Sequence, residues 1–189
     1  MEKTLFIDES YRAPSDGAPP HYYIVASVLV SQESLDEFAD FLKATGGLPF
    51  HTSEMVKSLG GRLRLLDYLE FLQTSDIECK VFLGEIDPTD RLGEAARFNL
   101  LKKAMLDQVS VGDNLTEVVY DRRMPGYQAK ADQRSVTTFR NQGVIPRSLM
   151  VRSQSAQTEP GLVLADCVAW SYRQHHLGTT SMFWNMLLK

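Results

Sequence analysis

The sequence predicts an α/β fold: one mixed five-stranded sheet flanked by helices, with a helical insertion between strands two and three. Three observations carry this. Five short runs rich in β-branched and aromatic residues are bounded by turn residues. The first three runs are broken only by that insertion, and afterwards helix and strand alternate. The run His21–Val30 is apolar almost throughout, as a strand buried on both faces must be. A chain of 189 residues is expected to form one domain, 1–189, long enough to bury a core. Its 43% hydrophobic and 23% charged content is ordinary for a globular protein.

Leu5, Phe6 and Ile7 open the first strand over 3–8, and Pro14, Gly17, Pro19 and Pro20 require it to stop near Ser10. The second strand, 22–30, returns beside it as a hairpin. Ser31 or Ser34 caps a helix over 35–44, with Leu35, Phe38, Ala39 and Leu42 at helical spacing, and Gly46-Gly47 ends it. Residues 48–61 show no regular period. A helix over 62–72 sets Leu63, Leu66, Leu69 and Leu72 on one side, and a third strand follows over 77–86. The longest helical pattern is 93–109. Gly112-Asp113-Asn114 turns the chain into a fourth strand ending on Asp121. A helix near 128–140 then leads to a fifth strand at 148–153, and Pro160-Gly161 opens a last helix over 162–175. The apolar stretch 181–188 is expected to pack on the body, or to serve as a contact surface for a protein partner or a second copy.

A net charge of −4 argues against a generic nucleic-acid coat. The charge is uneven, however: between Asp121 and Arg152 seven basic residues meet two acidic ones. Such a patch on an acidic body suits local contact with phosphates, and the plain alternative is a solvated basic face. No segment approaches the roughly 20 apolar residues of a membrane span. Cys79 and Cys167 form neither a metal spacing nor a disulfide framework. Met1-Glu2-Lys3 runs straight into a strand, which leaves no room for a signal peptide, so a cytoplasmic location is expected.

The chemistry-bearing residues are acids. Asp8 ends the first strand, Asp121 ends the fourth, and Asp166 lies inside the apolar run Val163–Ala169 of the last helix. An unpaired charge in such a run is costly. The plain alternatives are a loop-capping role for Asp8 and a buried ion pair between Asp166 and Arg173. Three antiparallel strands followed by helix-linked parallel strands is the order of the ribonuclease H-like fold, in which carboxylates converge from these three places. A haloacid dehalogenase-type phosphatase needs two aspartates one residue apart after the first strand, which Asp8-Glu9-Ser10 does not supply. An actin-like ATPase needs glycine-rich phosphate loops and two repeated halves, which are absent.

The segments Phe-Ile-Asp-Glu-Ser at 6–10, His-Thr-Ser-Glu at 51–54, Val-Val-Tyr-Asp at 118–121 and Leu-Ala-Asp-Cys-Val-Ala-Trp at 164–170 resemble the DUF 3800 family, over nearly the whole chain. That family carries Gly after Asp-Glu-Ser, where this chain has Tyr11. The resemblance implies a metal-dependent nuclease site that hydrolyses phosphodiester bonds in DNA or RNA. Asp8, Asp121 and Asp166 would be the ligands for Mg2+ or Mn2+. Glu54 would add a fourth ligand, in competition with Glu94, and His51 would carry a proton or touch substrate. The resemblance assigns no role to Glu9. The competing expectation is a non-catalytic binding module, or a subunit of a defence or toxin complex.

Overall fold

Leu5, Phe6 and Ile7 lie fully buried at the centre of strand β1 (Lys3–Arg12), and the sheet grows outward from it. The structure is a computed structural model that describes residues 2–17, 19–46, 51–109, 114–123 and 126–188. Strands β2 (Tyr22–Ser31), β3 (Glu78–Glu85), β4 (Leu115–Asp121) and β5 (Met150–Gln154) complete a sheet of order β3-β2-β1-β4-β5. β1, β2 and β3 are successively antiparallel, whereas β4 runs parallel to β1 and β5 parallel to β4. Every position of β2 is buried, as its apolar composition requires. This is the arrangement expected from the order of elements in the sequence.

Strand periodicity divides β1 between two cores. Phe6 faces helices α1 (Gln32–Ala44), α3 (Leu59–Thr74) and α6 (Pro160–His176), in a core with Val28, Phe38, Tyr68 and Leu164. Leu5 and Ile7 face α4 (Glu94–Val109) and α5 (Tyr127–Asn141), in a core with Val25, Leu101 and Phe139. Helix α6 lies unusually close to β1 because Gly161 is in its first turn. A Cβ there would come within 2.3 Å of the Phe6 ring. Loss of the Phe6 ring itself would cost roughly 3–5 kcal/mol, the usual price of an aromatic deletion in a packed core.

Local chemistry moves several boundaries. Ser31 rather than Ser34 caps α1, accepting the Ser34 N–H at 3.2 Å, so the helix begins at Gln32. Ser58 accepts the Gly61 N–H at 3.0 Å and starts α3 three residues early, with both glycines inside its first turn. The stretch read as irregular contains the short helix α2 (Thr52–Met55). β1 runs past Ser10 to Arg12, which pairs with Tyr22, and Tyr11 stacks on Tyr23 at 4.9 Å between centroids. Gly47, residues 48–50 and the Gly112-Asp113 turn lie outside the described residues.

The last apolar stretch forms α7 (Met182–Leu187), which packs on α3 and α6. Phe183 is buried edge-on to Trp170, at 5.4 Å, while Met182 and Leu188 stay exposed. Among the described residues no helix is long and apolar enough to cross a membrane.

Candidate active site

Asp8 and Asp121 come together through the register of the parallel pair. Ile7 pairs with Tyr120 at the end of the β1/β4 ladder, so the next residues, Asp8 within β1 and Asp121 at the end of β4, lie side by side. Both are two residues beyond side chains of the α6 core, Phe6 and Val119, and by strand alternation they point to that same face. Asp166 descends from α6 above them. The close approach of that helix at Gly161, five residues earlier, sets its height over β1.

Each carboxylate is held by a backbone N–H. Glu9 N–H donates to Asp8 Oδ1 at 2.7 Å, Thr52 N–H to Asp166 Oδ2 at 2.6 Å, and Ala156 N–H to Asp121 Oδ1 at 3.3 Å. The second oxygens of Asp8 and Asp166 have no protein donor among the described residues. Burial pushes the Asp8 carboxyl well above the usual aspartate range, and the charges of Asp166 and Asp121 push it further. Burial also raises Asp121, against the pull of the Ala156 and Arg122 N–H groups and of a protonated His51. No lysine or arginine lies within salt-bridge distance of the three aspartates among the described residues. Arg173, the alternative partner considered for Asp166, instead donates to the Tyr22 hydroxyl at 3.1 Å.

Helix α2 supplies the rim. Thr52 is buried, its N–H on Asp166 and its hydroxyl 3.4 Å from Cys167 Sγ. His51, half-exposed, sits with Nδ1 4.0 Å from Asp166 Oδ2. Glu54, expected as a ligand, does not join the aspartates: its side chain is 58% exposed and takes an ion pair from Lys57 at 2.6 Å. Two residues, roughly half a helical turn, separate it from Thr52, so the helix that aims Thr52 inward aims Glu54 outward. Glu94, its competitor, lies on the opposite side of the sheet and binds Arg123. Thr52 went unassigned in the sequence because it acts on Asp166 through its backbone, which no residue-type pattern reveals.

The donor set of three aspartates fits a hard divalent cation such as Mg2+ or Mn2+. Among the described residues, however, no three His, Cys, Asp or Glu side chains are already gathered into a metal cage.

The opposite face of β1 carries a second acidic cluster that is fully countered. Glu9 receives Arg97 Nε at 2.7 and 3.0 Å and the Tyr23 hydroxyl at 2.8 Å. Arg97 also holds Asp132 at 2.5 Å, and Arg123 bridges Asp132 and Glu94 at 2.6 Å each. Arg123 is therefore no free phosphate contact, contrary to the expectation for the basic segment.

No known protein family and no curated protein matches the chain. Solved structures do. The PCNA:RNase HII complex from Archaeoglobus fulgidus matches with a TM-score of 0.51 and 14% identity, over 93% of this chain and 75% of that one. The ribonuclease H2 from Pyrococcus horikoshii OT3 matches with a TM-score of 0.52 and 12% identity, over 94% and 74%. With so little identity the likeness speaks to architecture alone, and together with the strand order it gives the chain a ribonuclease H-like fold.

Proposed function

We propose that the chain is a metal-dependent nuclease, a phosphodiesterase acting on DNA or RNA, and a member of the DUF 3800 group. Asp8, Asp121 and Asp166 hold Mg2+ or Mn2+ in this reading. The carrying observation is the uncountered charge: the buried Asp8 feels the charges of Asp121 and Asp166 with no lysine or arginine in reach among the described residues, while the acids behind them are each paired with arginine. Perturbed carboxylates of that kind cluster at functional sites. A bound divalent ion supplies water activation and offsets charge on the phosphoryl oxygens.

The chain's own groups orient and relay. The N–H groups of Glu9, Thr52 and Ala156 fix the carboxylates. His51, exposed at the rim beside Asp166, exchanges a proton between solvent and substrate. The competing reading, a binding module that keeps the fold without catalysis, draws on the ungathered aspartates. It predicts indifference to metal.

The test is melting temperature with and without magnesium or manganese for wild type and Asp166→Asn, alongside a nuclease assay. Saturating metal should stabilise wild type by about 2–3 kcal/mol at a hundredfold excess over Kd. It should leave Asp166→Asn unmoved, and cleavage should fall by at least about a hundredfold in that variant. A wild type that neither shifts with metal nor cleaves would leave the binding module standing.

A further inference from the structure

We propose that the outer face of α5 is a nucleic-acid tract that grips the substrate strand as it leaves the aspartate site; the identity of its ligand rests on the nuclease reading above. Sorting the basic segment by what each side chain touches leads there. Arg123 is spent on Glu94 and Asp132, Arg140 on the Leu149 carbonyl at 3.1 Å, and Arg152 on Glu117 and Glu159 at 2.6 and 3.0 Å. Arg122, Lys130, Arg134 and Arg147 are exposed, with no side-chain partner among the described residues.

Two of those four lie on one stripe. Lys130 and Arg134 are four residues apart on α5, and Tyr127 precedes Lys130 by three, so all share a helix face. Tyr127 is 66% exposed. Lys130 and Arg134, with Gln133, Thr137 and Thr138, also line a shallow, open groove of about 480 Å³. No acid interrupts this face: the helix's one acid, Asp132, is buried against Arg97 and Arg123. The strip is therefore an unneutralised positive surface on a chain of net charge −4.

Its position suits a substrate strand. α5 follows Asp121 after a short link, so it starts at the sheet end that carries the aspartates and runs back along the crossover to β5. Within that link Arg123 donates to the Gln128 carbonyl at 3.1 Å, fixing the first turn of α5 to the arginine-paired cluster on the face opposite the aspartates, at the same end of the sheet. Lys130 and Arg134 stand roughly 6 Å apart along the axis, about two nucleotide rises of a duplex strand. An exposed tyrosine ring at the near end offers a stacking platform for an unpaired base.

The test is binding of a labelled single-stranded oligonucleotide and of its duplex, followed by fluorescence anisotropy in EDTA over a series of salt concentrations. Removing two phosphate contacts with Lys130→Ala/Arg134→Ala should lower the salt slope by about 1.4 on the single strand and about 1.8 on the duplex. Tyr127→Ala should weaken single-strand binding about fivefold or more without changing the slope. Arg147→Ala, an exposed basic residue off this helix, should behave as wild type. Melting curves check that each variant is folded, and a Gln/Gln pair at 130 and 134 stands in if the alanines are not.

A wild-type salt slope in the double variant overturns the tract, as does a loss in Arg147→Ala equal to that of the double variant. Failure of wild type to bind either probe overturns it too. The two readings separate cleanly. Metal-dependent cleavage with unaltered binding in the α5 variants rejects the tract alone. Binding lost in those variants, from a protein that never cleaves, keeps the tract and rejects the nuclease.

Discussion

Asp8 and Glu9 are consecutive, yet their side chains leave opposite faces of the sheet into opposite electrostatic surroundings. Glu9 meets Arg97 and a tyrosine hydroxyl, and a chain of alternating charge continues through Asp132 and Arg123 to Glu94. Asp8 meets the charges of two further aspartates and the Glu9 N–H, with no lysine or arginine on it among the described residues. Burial penalises both, but on one face guanidinium groups offset the cost, while on the other it remains. The countered cluster ties β1, α4, α5 and the end of β4 together, so its task is structural. The uncountered one stores repulsion that a cation would relieve, and so it is the face that points to chemistry.

Breaking the countered cluster should have the largest effect on stability. Arg97→Leu removes the guanidinium but leaves Glu9 and Asp132 buried and facing each other. Only 2% of the Arg97 side chain reaches solvent, so water cannot take its place. Chemical denaturation should show a loss of about 3–5 kcal/mol. A loss under about 1 kcal/mol, the level of a surface pair, would erase the contrast between the two faces.

On the uncountered face the sign should reverse. Asp8→Asn keeps an oxygen for the Glu9 N–H but removes a charge, and should stabilise the metal-free protein by about 0.5–2 kcal/mol near neutrality. The gain is pH-dependent. Asp8 titrates higher in the folded chain than the unfolded value of about 3.9, so the folded state binds the extra proton. Wild-type stability from this group is thus complete below the unfolded pKa and lost as pH rises through the raised one. The variant's advantage should therefore be full above that raised pKa and fade as pH falls toward 4, read from paired melting curves. An advantage that is flat with pH would mean that repulsion at Asp8 is not its source.

The smallest change is expected at the rim. Glu54→Gln breaks an exposed pair with Lys57 and should cost no more than about 0.5 kcal/mol. Metal-dependent cleavage and the magnesium-induced shift in Tm should stay at wild-type levels, because the side chain faces Lys57. A clear drop in either would return Glu54 to the ligand set and enlarge the uncountered face to four acids.

Much of the architecture was legible because it rests on local patterns. The apolar run 22–30 could only be a strand buried on both sides, and the alternation of strand and helix after residue 77 set the parallel half of the sheet. Asp166 stood out for a related reason: a carboxylate inside Val163–Ala169 has no apolar explanation. Asp121 was legible as a strand end. Asp8 looked like one too, but it sits inside β1, one residue past the last pair with β4, and that register still sets the two carboxylates side by side. Other features depended on partners distant in sequence. Nothing around Arg123 distinguishes it from Arg122, but the first is buried between Glu94 and Asp132 and the second faces solvent. Glu9 looked like a twin of Asp8 until Arg97, 88 residues away, took it. Thr52 holds Asp166 through a backbone N–H that every residue type except proline possesses. Hydrophobic periodicity is written along the chain and determines which elements form and which face each buries. Charge pairing is decided only when those elements pack, because its partners come from whichever segments the sheet and its helices bring within a few ångströms.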